Sequence, residues 1–269
     1  MTEQIYAHAA AVTGQPGSGH SPAGSPVEET LCPVVAHEWV NDEYKHLVVK
    51  ATPKALAAQP GQFFHLLCPS PDEGEVWFRR PQSVYRVARS TGRVEFLYKI
   101  AGRGTRGLAS LEPGDTLNML GPLGVGFKLE TGWKNVVVLG RGVGLATMAP
   151  ISQLAGERGV RVTAILSARS EELAMAADLF ETVGTVIKVL DTDGTSAVEN
   201  VETILRRLIA EKKADAFFTC GSNRLMQLMK RLGKEHRIPG QMAMGPIMAW
   251  RPRPCCRRVP PIRRGARTR

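Results

Sequence analysis

Three stretches of this 269-residue chain bring together residue types that could do chemistry. The first is Gly140-Arg141-Gly142-Val143-Gly144-Leu145-Ala146, directly after the apolar run Asn135–Gly140. Glycines let a backbone approach a pyrophosphate, and a helix start behind them offers unpaired N–H groups and a positive dipole end. A tight strand-to-helix turn would need glycine too, and the register is not the usual G-x-G-x-x-G, so the turn alone leaves both readings open. The second stretch is Cys220-Gly221-Ser222, at the end of a short apolar strand. Open α/β sheets hold ligands at the carboxyl ends of their strands, where the Cys220 thiol could lie against a nicotinamide ring. A buried structural cysteine explains it equally well. The third combines Arg80-Pro81-Gln82-Ser83, Leu97-Tyr98-Lys99 and Gly102-Arg103-Gly104-Thr105. An arginine fork and a hydroxyl at a strand start can hold phosphate and ring edges. A Gly-x-Gly-Thr turn before a helix can cradle an anion. Singly, these are a surface arginine, a hairpin residue and an N-cap threonine; their order matters more than any one of them.

The elements that must position these groups fall into two patterns. From about residue 31 to 128, short alternating or β-branched runs appear at Val34–Trp39, Lys45–Ala51, Gln62–Cys68, Ser83–Ala88, Val94–Ile100 and Thr116–Leu120. Pro-Gly and similar turns punctuate them, which predicts a small antiparallel barrel or sandwich, read here as a β-barrel, with a short helix at Thr105–Leu111. From about 133 the period changes. Strands at Asn135–Gly140, Arg161–Ala168, Val186–Leu190, Ala216–Cys220 and Gln241–Met244 alternate with helices at Leu145–Arg158, Glu171–Phe180, Val198–Lys212 and Ser222–His236. Continuous apolar strands between helices predict a doubly wound α/β domain around a parallel sheet covered on both faces. The expected layout is a flexible Gly/Ser/Pro-rich extension over 1–26, the barrel over 27–130, the α/β domain over 131–245 and a tail over 246–269.

The formal net charge of +10 invites a nucleic-acid reading. Its distribution argues otherwise: residues 250–269 hold eight arginines and no acid, and without them 27 basic residues face 25 acidic ones. We therefore expect no nucleic-acid partner, and a solvated Arg/Pro-rich tail. No apolar run is long enough for a membrane span, and the first twenty residues lack the pattern of a secretory signal. The five cysteines, Cys32, Cys68, Cys220, Cys255 and Cys256, make a poor disulfide framework. Cytoplasmic location is the resulting expectation.

Taken in order, the motifs PGQFF (60–64), RRPQS (79–83), FLYKIAGRGT (96–105), LEPGDTLNMLGPLGVGF (111–127), VVVLGRGVGLA (136–146) and CGS (220–222) resemble the ferredoxin–NADP reductase superfamily. Within it they are similar to the electron-transfer subunits of class B dihydroorotate dehydrogenase. The resemblance covers about residues 31–245. It implies an oxidoreductase with FAD in the barrel and a pyridine nucleotide, NAD(P), in the α/β domain. Arg80, Pro81, Gln82 and Ser83 would face the flavin and its phosphate side. Leu97, Tyr98 and Lys99 would contact the isoalloxazine and ribityl region, and Gly104 and Thr105 the pyrophosphate. Gly140, Gly142 and Gly144 would hold the nucleotide, and Cys220 and Gly221 would lie at the nicotinamide. Hydride would pass between the two cofactors, with electrons exchanged with a redox partner protein, a dihydroorotate dehydrogenase catalytic subunit of pyrimidine biosynthesis.

Three departures qualify that pattern. Arg141 stands where the family usually has glycine. Arg169 ends the second α/β strand without an acidic neighbour at the strand end, and NAD and NADP remain open as the nucleotide. The family's [2Fe–2S] cluster uses cysteines spaced roughly C-x4-C-x2-C with a fourth further on. Here Trp250, Cys255 and Arg258 fall at the first three positions, so the cluster's ligands are largely missing. This leaves room for a reductase subunit of another redox complex, of sulfhydrogenase or ferredoxin–NADP reductase type, or for a degenerate nucleotide-binding paralogue.

Overall fold

The first strand, β1 (Glu28–Asn41), is more than twice as long as its side-chain alternation predicts. It pairs with two partners in succession. Residues 28–33 run antiparallel to β7 (Thr116–Leu123), and residues 34–41 to β2 (Tyr44–Lys50), with register shifts between Val34 and Ala36 and between Trp39 and Asn41. Such shifts bend a strand and let it change partner. The computed structural model describes residues 27–70 and 78–243. The expected extension over 1–26 and tail over 246–269, with Cys255 and Cys256, lie outside the described residues.

β3 (Phe63–Leu67), β4 (Arg80–Ser83), β5 (Arg86–Ala88) and β6 (Arg93–Lys99) complete a seven-stranded antiparallel sheet in the order β4-β3-β7-β1-β2-β6-β5. The single strand expected over Ser83–Ala88 is two. At Val84-Tyr85 the chain leaves one edge of the sheet and joins the other: the Val84 N–H donates to Gln62 O, and the Tyr85 N–H to Glu95 O. The two edges are thereby drawn together around a core of Leu47, Phe64, Leu66, Phe96, Leu108, Leu117 and Met119. The short helix α1 (Arg103–Ala109) covers one opening.

One polar network lies inside the barrel. His37 Nδ1 donates to the Leu111 carbonyl at 2.8 Å, which leaves Nε2 to accept from the Tyr98 hydroxyl at 2.8 Å. Acceptance at Nε2 needs a neutral ring, and burial holds the His37 pKa below its usual value although the bond to Leu111 pulls the other way. The unfolded chain protonates this ring at about pH 6.5, so below that pH the unfolded state binds more protons. Barrel stability should therefore fall as pH drops through about 6.5. The melting temperature at about pH 7.5 and about pH 5.5 should differ more in the wild type than in His37→Gln; an equal drop in both would show that another group is responsible.

The second sheet is wholly parallel, in the order β10-β9-β8-β11-β12. Its strands are β8 (Asn135–Arg141), β9 (Arg161–Ala168), β10 (Gly184–Leu190), β11 (Ala216–Cys220) and β12 (Gly240–Ala243). Successive residues of β8 feed opposite faces, which is why its sequence is apolar throughout. Val136 and Val138 pack with Leu145, Met148 and Ile151 of α2 (Gly144–Glu157). Val137 and Leu139 pack with α4 (Val198–Ala210) and α5 (Asn223–His236). The helix expected over Glu171–Phe180 is interrupted. A single 3-10 turn spans Glu171–Leu173, and α3 (Ala177–Glu181) begins only after Ala176, at φ +61°. The break lets Met175 turn into the seam between the two domains, where it packs with Tyr44, Leu97 and Ala146. No described helix is long and apolar enough to cross a membrane.

Candidate functional site

On the barrel side, the candidate flavin residues sit on two strand edges that end early. β4 pairs only with β3, from Phe63↔Ser83 to Leu66↔Arg80, so its outer edge carries no strand. Pro81, which has no N–H to give a ladder, is tolerated on such an edge. β5 accompanies β6 only as far as Glu95, so Phe96–Lys99 pair with β2 alone. The Arg80 side chain crosses onto α1: a Cβ on Gly104 would stand 2.5 Å from Arg80 Nε. Glycine at 104 is what lets the guanidinium lie against the helix start, and this brings two distant motifs into one cradle. The neighbouring Arg79 does different work, donating to Asn118 Oδ1 at 2.8 Å and pairing with Glu29 at 2.5 Å.

Not every expected flavin residue offers its side chain. Thr105 Oγ1 accepts from the N–H groups of Ala101 and Gly102 at 2.9 and 3.1 Å, so its hydroxyl first of all shapes the turn. Tyr98 is fully buried on His37, and its phenol pKa is pushed well up by that burial; what it presents outward is its backbone. Leu97 faces the other domain. Lys99 pairs with Glu43 at 2.6 Å.

On the α/β side, the two glycine turns interlock. A Cβ on Gly144 would stand 2.5 Å from the Cys220 carbonyl oxygen, and one on Gly221, whose φ is +104°, would collide with the Arg141 carbonyl oxygen. The carboxyl ends of β8 and β11 thus meet backbone to backbone, and no side chain fits between them. Gly140 is equally confined, against the backbone of Leu145. Gly142, at φ +54°, is open except for the Tyr44 hydroxyl, 3.4 Å from where its Cβ would be. Cys220 is buried, and Ser222 caps α5 by accepting from the Leu225 N–H.

The seam between the domains holds residues that sequence reasoning missed. The β1–β2 turn docks on the end of β9: Asn41 Nδ2 donates to Glu172 O at 3.1 Å, and Glu43 pairs with Arg169. Lys99 and Arg169 together hold the Glu43 carboxyl below the usual carboxylate range. Arg141 donates to Ser167 Oγ at 2.7 Å and pairs with Asp191 at 2.6 Å. Asp191 follows β10 at the carboxyl end of a parallel strand, a position that could have flagged it. Glu43 reads in sequence as an ordinary hairpin residue, and no spacing points to it.

No protein-family model matches the chain. The dihydroorotate dehydrogenase B (NAD(+)) electron transfer subunit of Enterococcus faecalis is 30% identical over 181 residues, 66% of this chain and 68% of that protein. This chain belongs to that family of electron-transfer subunits. The Thermotoga maritima homolog of the subunit is 31% identical over 193 residues, 71% of this chain and 66% of its own length. Among solved structures, an NADH-dependent reduced ferredoxin-NADP oxidoreductase superposes with a TM-score of 0.68 at 26% identity, covering 81% of this chain and 78% of that one. The ferredoxin-NADP+ reductase of Plasmodium falciparum shares the fold, with a TM-score of 0.61 at 13% identity over 80% of this chain and 96% of that one.

The interlocked turns and the Arg80–Gly104 cradle fit the FAD and nicotinamide cofactors of an electron-transfer subunit of this family. Among the described residues, no group of three or more His, Cys, Asp or Glu side chains could hold a metal ion. Cys32 and Cys68 belong to the barrel core and Cys220 to the core beneath β8.

Proposed function

We propose that this chain is the flavoprotein electron-transfer subunit of a dihydroorotate dehydrogenase, with residues 27–130 as the FAD module and 131–245 as the NAD(P) module. The observation that carries the reading is the interlocking of Gly144 with Cys220 and of Gly221 with Arg141, which leaves bare backbone where a dinucleotide would lie. Bound together, FAD and a nicotinamide nucleotide supply hydride transfer and the one-electron steps that follow. The chain's part is to bind and align. Arg80 and the turn before α1 hold the flavin's phosphates, the open edges of β4 and β6 receive its ring system through Ser83, Gln82 and the Leu97–Lys99 backbone, and Pro81 keeps that edge unladdered. Gly140, Gly142 and Gly144 admit the pyrophosphate, and Cys220 and Gly221 form a flat wall for the nicotinamide. Alignment of this kind is worth several orders of magnitude in rate, which is what a transfer subunit has to supply.

The test is spectroscopic. The protein should purify yellow or take up added FAD, and NADH or NADPH should bleach its band at about 450 nm. A colourless protein that refuses FAD would overturn the reading. Mixed with a dihydroorotate dehydrogenase catalytic subunit, it should couple dihydroorotate oxidation to NAD+ reduction. We also place the chain in the cytoplasm; the absence of any disulfide among the described residues supports this.

Trp250 and Arg258, standing where the family has cluster cysteines, favour a second reading: the same module serving another redox complex. Iron and acid-labile sulfide assays, with capture of the native partner, separate the two. A stoichiometric cluster would return the assignment to the dihydroorotate enzyme.

A further inference from the structure

In a doubly wound sheet the adenosine ribose lies beyond the carboxyl end of the second strand, where an acidic residue favours a free 2′-hydroxyl and an arginine accommodates a 2′-phosphate. Here the second strand is β9, and Arg169 follows it directly. By sequence this ending leaves NAD and NADP open, since an arginine stands there with no acid at the strand end. The fold changes its meaning, because Glu43 reaches across the seam from the barrel, 126 positions away, and pairs with Arg169 through both carboxylate oxygens. The same carboxylate holds Lys99. The other arginine at this end, Arg141, is paired with Asp191.

We propose that Glu43 makes this chain select NAD(H) over NADP(H), by occupying Arg169 and placing a carboxylate where a 2′-phosphate would come. The inference rests on the proposed nucleotide site and names the residue that sets its preference. A 2′-phosphate carries between one and two negative charges at neutral pH. To use Arg169 it would have to displace a carboxylate anchored at two cations and would lie beside it, and like charges in close apposition are strongly disfavoured. A 2′-hydroxyl needs no such displacement and can donate to the lone pairs that Glu43 keeps. Glu43 is well fixed for this role: the Asn41 side chain accepts from the Glu43 and Tyr44 N–H groups at 3.0 and 3.1 Å, and Tyr44 is buried in the seam. The selectivity element therefore belongs to the flavin module, and it exists only while the two modules are docked.

The first measurement needs no substitution. Calorimetric titration of the whole protein with 5′-ADP and with 2′,5′-ADP should show tighter binding of 5′-ADP; equal binding, or a preference for 2′,5′-ADP, overturns the proposal. The second measurement compares flavin reduction by NADH and by NADPH in the wild type and in Glu43→Gln. In the variant the ratio of kcat/KM for NADPH to kcat/KM for NADH should rise at least about tenfold. Adding Arg169→Ala to Glu43→Gln should abolish the gain. An NADPH gain that survives loss of Arg169, or a Glu43→Gln effect equal for both nucleotides, overturns the proposal. Failure of the electron-transfer reading looks different: a protein that prefers 5′-ADP but is reduced by neither nucleotide would sink that reading and leave the nucleotide preference standing.

Discussion

Replacing Arg80 by alanine should cost the protein its flavin, weakening FAD binding by about a hundredfold, or ~2.7 kcal/mol. Charge-assisted hydrogen bonds from a guanidinium to phosphate are among the stronger single contacts a protein makes. Arg80 is placed to supply them: it lies on β4, whose outer edge carries no strand, and packs against Gly104 at the helix start. Its guanidinium donates to the Phe78 carbonyl, two residues away. Arg79, one position earlier, provides the control. Its guanidinium joins Asn118 on β7 to Glu29 on β1, so Arg79→Ala should lower the melting temperature with little change in flavin affinity. Titration of the apoprotein with FAD, followed by quenching of flavin fluorescence, reads the first effect, and thermal melting reads the second. If Arg80→Ala keeps its flavin while Arg79→Ala loses it, the two arginines have been assigned the wrong way round.

Gly221→Ala should reduce flavin reduction by NADH at least about a hundredfold and leave FAD binding intact. Two costs coincide at this residue. Its φ of +104° is one that L side chains rarely adopt, a strain of about 1–3 kcal/mol. Its Cβ would also meet the Arg141 carbonyl, which is backbone and cannot swing away as a side chain could. The carboxyl ends of β8 and β11 would have to part, and with them the wall proposed for the nicotinamide. The barrel is not touched, so reduction by dithionite should proceed as in the wild type. Gly144→Ala, pressed on the Cys220 carbonyl from the opposite side, should behave alike. Unchanged NADH kinetics in both variants would mean that the nicotinamide lies elsewhere.

Much of the fold was legible because it is encoded locally. β9 and β11 have the bounds their apolar runs predict, since a strand buried on both faces stands out against the polar turns beside it. The glycine turns after β8 and β11 were legible for a related reason: only glycine tolerates such crowding, so its position marks the place. The errors fall where a long-range partner overrides local pattern. Residues 28–33 are strand because β7 lies alongside them. Val84-Tyr85 breaks a strand because the chain changes sheet edge there. Residues 171–180 are not one helix because Met175 is drawn into the domain seam.

From the sequence alone came the two-module order, the candidate phosphate turns and the arginine motif, all properties of neighbouring residues and the backbone they impose. Tertiary structure decided what those residues are free to do. It assigned Arg79 to the scaffold and left Arg80 on an open edge. It turned the Tyr98 ring into the barrel core and spent the Thr105 hydroxyl on its own turn. It also delivered Glu43 to Arg169. The charge balance at the carboxyl end of β9 depends on which surfaces the two modules bring together, and a pairing across 126 positions leaves no periodicity in the chain from which it could be read.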